Sequence, residues 1–120
     1  MRRGEIWTVS GGGNYAGKAR PVVVVQDDAF DATMSITVCA FTTDPTEAPL
    51  FRVEVLPSER NGLRQPSRLM VDKITTVAKA KVGARVGWLE EEHMRRLDRA
   101  MLVFLGLAGS SRTRRASTSP

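Results

Sequence analysis

Residues 3–9, Arg-Gly-Glu-Ile-Trp-Thr-Val, alternate apolar and polar positions after a glycine, which is the period of a half-buried strand. Residues 10–18 hold Gly11-Gly12-Gly13 with Asn14, Tyr15 and Gly17, a composition that opposes regular structure and predicts a mobile loop. The pattern then changes. Val22 to Val25 are four consecutive β-branched residues without a polar face, which predicts a strand covered on both sides. Residues 27–33 read as a turn or one short helical turn, and residues 35–42, Ser-Ile-Thr-Val-Cys-Ala-Phe-Thr, as a third strand. Two prolines make 44–49 a loop. Residues 51–56 alternate again, 57–62 favour a turn, 67–74 read as a fifth strand, and 78–82 as a short connector before a last strand at 85–89. Short connections predict a mostly antiparallel sheet.

From Glu90 the period becomes 3.6. Met94, Leu97, Met101, Leu102 and Leu105 fall into one apolar stripe, and Glu90, Glu91 and Glu92 occupy the first turn, where the helix dipole favours negative charge. Gly106 or Gly109 is expected to end this helix, and the Ser-, Thr- and Arg-rich residues 109–120 to be disordered. The chain thus reads as one domain over residues 1–108 with a tail at 109–120. At 120 residues it is long enough to bury a core without disulfides.

Hydrophobic content of 42% with 26% charged residues is that of a soluble globular chain, and no apolar run reaches the length of a membrane span. Met1-Arg2-Arg3-Gly4-Glu5 lacks the apolar stretch of a signal peptide, which predicts a cytoplasmic location. The net charge of +5 points to an anionic partner such as nucleic acid, but Arg112, Arg114 and Arg115 in the tail supply three of the five, leaving the body at +2. Placement of the basic residues therefore matters more than their number. Cys39 is the sole cysteine, so no internal disulfide can form, and its apolar neighbours predict a small buried side chain rather than a nucleophile. His93 is the sole histidine, so a zinc site of ordinary ligand type cannot be assembled, and no metal or other cofactor is expected.

The chemistry concentrates at Arg20. Pro21 fixes its own φ and biases Arg20 toward an extended backbone, so the guanidinium emerges at the mouth of the valine strand, beside the glycine-rich loop. Taken alone, an Arg-Pro pair also reads as a solvated cation flanking a strand. Taken in order with other segments it says more. Arg3-Gly4-Glu5-Ile6-Trp7, Lys18-Ala19-Arg20-Pro21 with the valines and Gln26, Phe41-Thr42-Thr43, and Pro66-Ser67 followed by Val71-Asp72-Lys73-Ile74 resemble the motifs of the MazF/PemK toxin family, over residue 2 to about residue 105. The resemblance implies a mainly β (α+β) fold, a small SH3-like antiparallel β-barrel of the CcdB/MazF/PemK type with a C-terminal α-helix. It also implies a homodimer, the toxin of a type II toxin-antitoxin system, that cuts single-stranded RNA as a metal-independent endoribonuclease until a MazE-like antitoxin blocks it.

Within that resemblance Arg20 matches the family's catalytic arginine and Thr42 its catalytic threonine. Attack of a ribose 2′-hydroxyl on the adjacent phosphate builds negative charge on the phosphoryl oxygens, which suits a permanently charged arginine fork and one threonine hydroxyl. An arginine is a poor base at its usual pKa, so the acceptor of the 2′-hydroxyl proton is left open. Asp72 is the candidate general base, because it lies where some PemK-type relatives carry a catalytic aspartate. The arginine two residues earlier in those relatives is Met70 here, and an ion pair of Asp72 with Lys73 or Arg68 is the competing reading. For RNA contacts the resemblance points to Asn14, Tyr15 and Lys18 in the first loop and to Ser67 and Lys73 in the fifth strand, Tyr15 suited to stacking on a base and Lys18 to a phosphate. Lys73 stands where glutamine or asparagine is often found. Two other classes compete: a CcdB-like gyrase inhibitor without catalytic activity, against which the Arg-Pro-valine strand argues, and a non-catalytic RNA-binding module.

Overall fold

The computed structural model describes residues 1–10, 18–45 and 51–108. Among the described residues seven strands precede one helix: β1 Glu5–Val9, β2 Arg20–Val24, β3 Ser35–Thr42, β4 Arg52–Val55, β5 Ser67–Met70, β6 Thr75–Ala78, β7 Val82–Trp88 and α1 Glu91–Phe104. Single 3₁₀ turns occupy Asp28–Phe30, Val71–Lys73 and Lys79–Lys81. Every pairing is antiparallel, in the order β4-β5-β3-β2-β1-β7 with β6 also on β3. The ends of that order, β4 and β7, do not pair, so the expected barrel is present as a barrel-like curl whose ladder does not close. Helix α1 packs against β4 at one of those ends.

Of residues 67–74, expected as one strand, only Ser67–Met70 form β5; Val71–Lys73 make a 3₁₀ turn, and a separate strand, β6, follows at Thr75–Ala78. β5 pairs the C-terminal end of β3 (Phe41 with Leu69, Thr42 with Arg68), whereas β6 pairs its N-terminal half (Ser35 with Ala78 through Val38 with Thr75). Both must fit along one edge of an eight-residue strand, and the 3₁₀ turn between them makes the step. Lys73 therefore lies in that turn, not in a strand. β7 begins at Val82, earlier than the expected residue 85, because its first residues pair with Val9 of β1.

The valine strand is covered on both faces, as its composition predicts. Val23 and Val25 join Ile6, Cys39, Leu69 and Leu97 in one core cluster, while Val22 and Val24 join Val9, Ile36, Val38 and Ala40 in the other. Burying each valine contributes about 1.5–3 kcal/mol. Valine on both faces leaves hydrophobicity unable to choose between registers, so the polar ends do so. Just beyond β2, the Gln26 side-chain oxygen accepts the Thr37 amide at 2.9 Å, and its amide donates to the Phe30 carbonyl at 3.2 Å.

Helix α1 contributes Leu97 and Ala100 to the first cluster, with Met94 and Met101 packed against it. Leu102 and Leu105, expected in the same stripe, are exposed. Leu102 sits about 100° around the helix from Met101, and Leu105 lies past the last helical residue. The helix ends at Phe104, with the Leu107 amide returning to the Leu102 carbonyl. Arg3 fastens α1 to the sheet: its guanidinium reaches the Asp98 carboxylate while its Nε donates to the Val25 carbonyl at 2.8 Å. No helix among the described residues is long and apolar enough to cross a membrane.

Candidate functional site

Arg20 opens β2 and Thr42 closes β3. Val22 stands opposite Ala40, and side chains two residues apart share a face, so Arg20 and Thr42 emerge on the same side at the same end of the sheet. They line one cleft of about 530 Å³. Its floor includes Phe41 and Ser67, and its far wall is Gly62, Leu63, Arg64 and Gln65 with Val86 of β7. The described lining carries two guanidinium groups and no aspartate, glutamate or histidine.

Of the hydroxyls that line the cleft, those of Thr42 and Ser67 are used differently. Thr42 Oγ1 accepts the Asp44 backbone amide at 3.2 Å, which leaves its own proton to donate. Ser67, predicted as an RNA contact, is buried and donates to the Gln65 carbonyl at 3.0 Å. Its proton is taken by the wall. Arg68, opposite Thr42 in the ladder, donates to the Asp44 carbonyl at 3.2 Å and lies 3.8 Å from Glu54.

The far wall is held from below by Asn61, which is wholly buried. Its side-chain oxygen accepts the amides of Ser58 at 3.0 Å and Leu63 at 2.9 Å. Its amide nitrogen donates to the Leu56 carbonyl at 2.9 Å and to Glu90 Oε1 at 3.3 Å. The other Glu90 oxygen accepts the Ser58 hydroxyl. Burial raises the Glu90 pKa, but the bonds from Ser58, its own backbone and Asn61, together with the nearby His93 ring, outweigh that and hold the carboxyl below its ordinary value. Two glycines let the wall approach β7. Gly62 has φ +69° and a Cβ there would lie 2.4 Å from the Val86 carbonyl oxygen; at Gly87 it would lie 2.3 Å from the Arg60 carbonyl oxygen.

The other predicted residues lie elsewhere. Asp72 sits in the turn after β5 and is bound by Arg52, neither by Lys73 nor by Arg68 as expected, and it does not line the cleft. Lys18 is exposed two residues before β2 and Lys73 is exposed in its turn; neither lines the cleft. Asn14 and Tyr15 lie outside the described residues, as does the 109–120 tail. Cys39 is buried, and its thiol is pushed up to about 12 by burial, with the Asp72 carboxylate adding to the effect. His93 is half-buried in α1, its Nδ1 3.5 Å from Glu90 Oε1 and without a hydrogen-bond partner.

Sequence reasoning passed over Arg64 and Gln65. Their signal was the run Gly62-Leu63-Arg64-Gln65-Pro66 between two strand patterns, a connection whose side chains have no strand or helix to bury them.

The chain is similar to known proteins. A family model described as PemK-like, MazF-like toxin of type II toxin-antitoxin system matches residues 2–105. A probable endoribonuclease MazF of Mycolicibacterium smegmatis is 54% identical over 109 residues, covering 91% of this chain and 100% of that protein. Endoribonuclease MazF9 of Mycobacterium tuberculosis is 30% identical over 116 residues, covering 89% and 98%. Among solved structures, an endoribonuclease in complex with its cognate antitoxin from a mycobacterial species superposes with a TM-score of 0.76 at 24% identity, over 91% of this chain and 98% of that one.

Proposed function

The chain belongs to the PemK-like, MazF-like toxins of type II toxin-antitoxin systems, and on that premise we propose that the cleft holding Arg20 and Thr42 is where it cuts RNA. The activity is that of a MazF-type endoribonuclease. The substrate is single-stranded RNA in the cytoplasm. The ribose 2′-oxygen attacks the adjacent phosphorus, the bond from phosphorus to the 5′-oxygen breaks, and the products carry a 2′,3′-cyclic phosphate and a 5′-hydroxyl. One proton leaves the 2′-hydroxyl and one is delivered to the departing 5′-oxygen. Arg20 meets the charge that builds on the phosphoryl oxygens, where one well-placed donor is worth about 10²–10³ in rate. Thr42 donates to the same phosphate and fixes its orientation.

The observation that carries this reading is the Thr42 hydroxyl. It accepts the Asp44 amide, so it is oriented, and its remaining proton is available on the face it shares with Arg20. Lys18 and Lys73, both exposed outside the cleft lining, are the further candidates for RNA phosphates. Asp72, held by Arg52 away from the lining, is given no proton-transfer step. The toxin unit is residues 1–108, with 109–120 as an appendage.

The protein acts as a homodimer held by a MazE-like antitoxin. Leu102, Val103, Phe104, Leu105 and Leu107 are exposed together at the end of α1, an apolar patch suited to a second subunit. Arg52, Arg96 and Arg99 line, with Glu54, a groove of about 440 Å³ between β4 and α1; Arg52 is held by Asp72 and Arg96 by Glu92, which leaves Arg99 to meet an acidic antitoxin segment.

End-mapping of RNA cut in EDTA tests the activity. Wild type is expected to leave cyclic phosphate and 5′-hydroxyl ends, and Arg20→Ala to stay folded and inactive. Cutting that requires metal, or full activity of the variant, overturns the mechanism.

A further inference from the structure

Arg64 is exposed on the far wall of the cleft and, among the described residues, makes no hydrogen bond or ion pair. Other arginines of the sheet are committed: Arg52 to Asp72, Arg68 to Glu54 and the Asp44 carbonyl, Arg85 to Glu5. Arg64 is nevertheless held in place at its backbone. Its neighbours Asn61 and Leu63 are tied into the buried amide network, Gly62 lies against the Val86 carbonyl, and the Gln65 carbonyl receives the Ser67 hydroxyl. A fixed backbone carrying an uncommitted guanidinium into a cleft whose described lining has no carboxylate is an arrangement for binding an anion.

We propose that Arg64 is a substrate-binding residue that holds a phosphate of the RNA strand next to the one between Arg20 and Thr42. The cleft then grips two successive phosphates from opposite walls, and the strand between them is drawn across its floor. This rests on the cleft being the RNA site. It adds to that reading a binding residue distinct from the two assigned to the chemistry. Because Arg64 binds a phosphate and does not touch the reacting bond, its loss weakens binding and leaves the step at Arg20 intact.

The test is salt-titrated binding of the full chain to a single-stranded 2′-O-methyl RNA oligonucleotide, which cannot be cut through a 2′-hydroxyl. For single-stranded RNA each neutralised phosphate contributes about 0.7 to the slope of log affinity against log salt. Arg64→Ala is expected to lower that slope by about 0.7 and to weaken binding about tenfold. Arg64→Lys restores the slope and Arg64→Gln does not. Arg95→Ala, the same loss of charge at an exposed helix position away from this cleft, keeps the wild-type slope. With cleavable RNA, Arg64→Ala raises KM while the rate at saturation stays within about threefold of wild type. Wild-type slope and affinity in Arg64→Ala overturn the proposal, as does a loss confined to the saturating rate. Failure of wild type to cut RNA in EDTA overturns the proposed activity instead, and the uncut oligonucleotide still reads Arg64.

Discussion

Arg52 meets Asp72 through two nitrogens at once, Nε to Oδ1 at 3.1 Å and Nη2 to Oδ2 at 3.4 Å. The fork joins β4 to the turn after β5, with side-chain exposures of only 13% and 23%, and it engages both oxygens of the carboxylate. Asp72→Asn should therefore cost about 1–2 kcal/mol in urea denaturation and keep cleavage within about tenfold of wild type. A folded Asp72→Asn variant with cleavage reduced a thousandfold would put this carboxylate in the chemistry.

Thr42 is argued to act through the proton its hydroxyl retains. Thr42→Val keeps the shape but removes both the donor and the acceptor of the Asp44 amide, and its single-turnover rate should fall about 100-fold. Thr42→Ser should recover most of that rate. Equal rates for the valine and serine variants would remove the hydroxyl from the mechanism.

Asn61 has no exposed surface and four side-chain hydrogen bonds, so truncating it leaves two amides and a carbonyl without partners. Asn61→Ala should lose about 2–4 kcal/mol of stability. Hydrogen exchange should show the Ser58 and Leu63 amides losing protection first. Unchanged protection at those two amides would mean that the wall is held by something else.

The depressed pKa of Glu90 makes a prediction about acid. Its ionised carboxylate adds stability above the ordinary glutamate value of 4.5, and that contribution is lost as pH falls through the lower folded value. Thermal melts of wild type and Glu90→Gln should therefore differ most near neutrality and converge below that value. Parallel pH profiles would show that the carboxylate does not stabilise the wall.

Gly87→Ala places a methyl carbon 2.3 Å from the Arg60 carbonyl, a backbone atom that cannot move without displacing the loop that carries Arg64. The variant should lose about 3 kcal/mol or more in chemical denaturation. A melting temperature equal to wild type would contradict the close approach of β7 to the loop.

The legible parts of this fold are those whose signal is local. Val22 to Val25 announce a strand covered on both faces, residues 35–42 coincide with β3, and Arg20 and Thr42 fall at the strand ends where a shared face brings them together. What escaped the sequence depends on distant partners. Nothing local in residues 67–74 says that β3 is too long for one partner on that edge, so the turn at Val71–Lys73 was invisible. Asp72 was matched to the nearest cations in sequence, while its partner lies twenty residues back in β4. Arg64 faces the cleft because Asn61 bonds to Glu90, twenty-nine residues further along, and no short pattern encodes that contact.

Among the described residues β1 is the first strand and pairs with β7, the last, and Val86 of β7 completes the cleft wall opposite residues delivered by β2 and β3. A nascent chain emerging from the ribosome therefore holds Arg20 and Thr42 long before the cleft around them is complete. Stalled or truncated products ending before Val82 lack both the edge that anchors β1 and the surface on which the Arg64 loop rests. On the proposed reading of the cleft, this topology is a built-in delay: the site is complete only when synthesis of the folding unit is nearly finished.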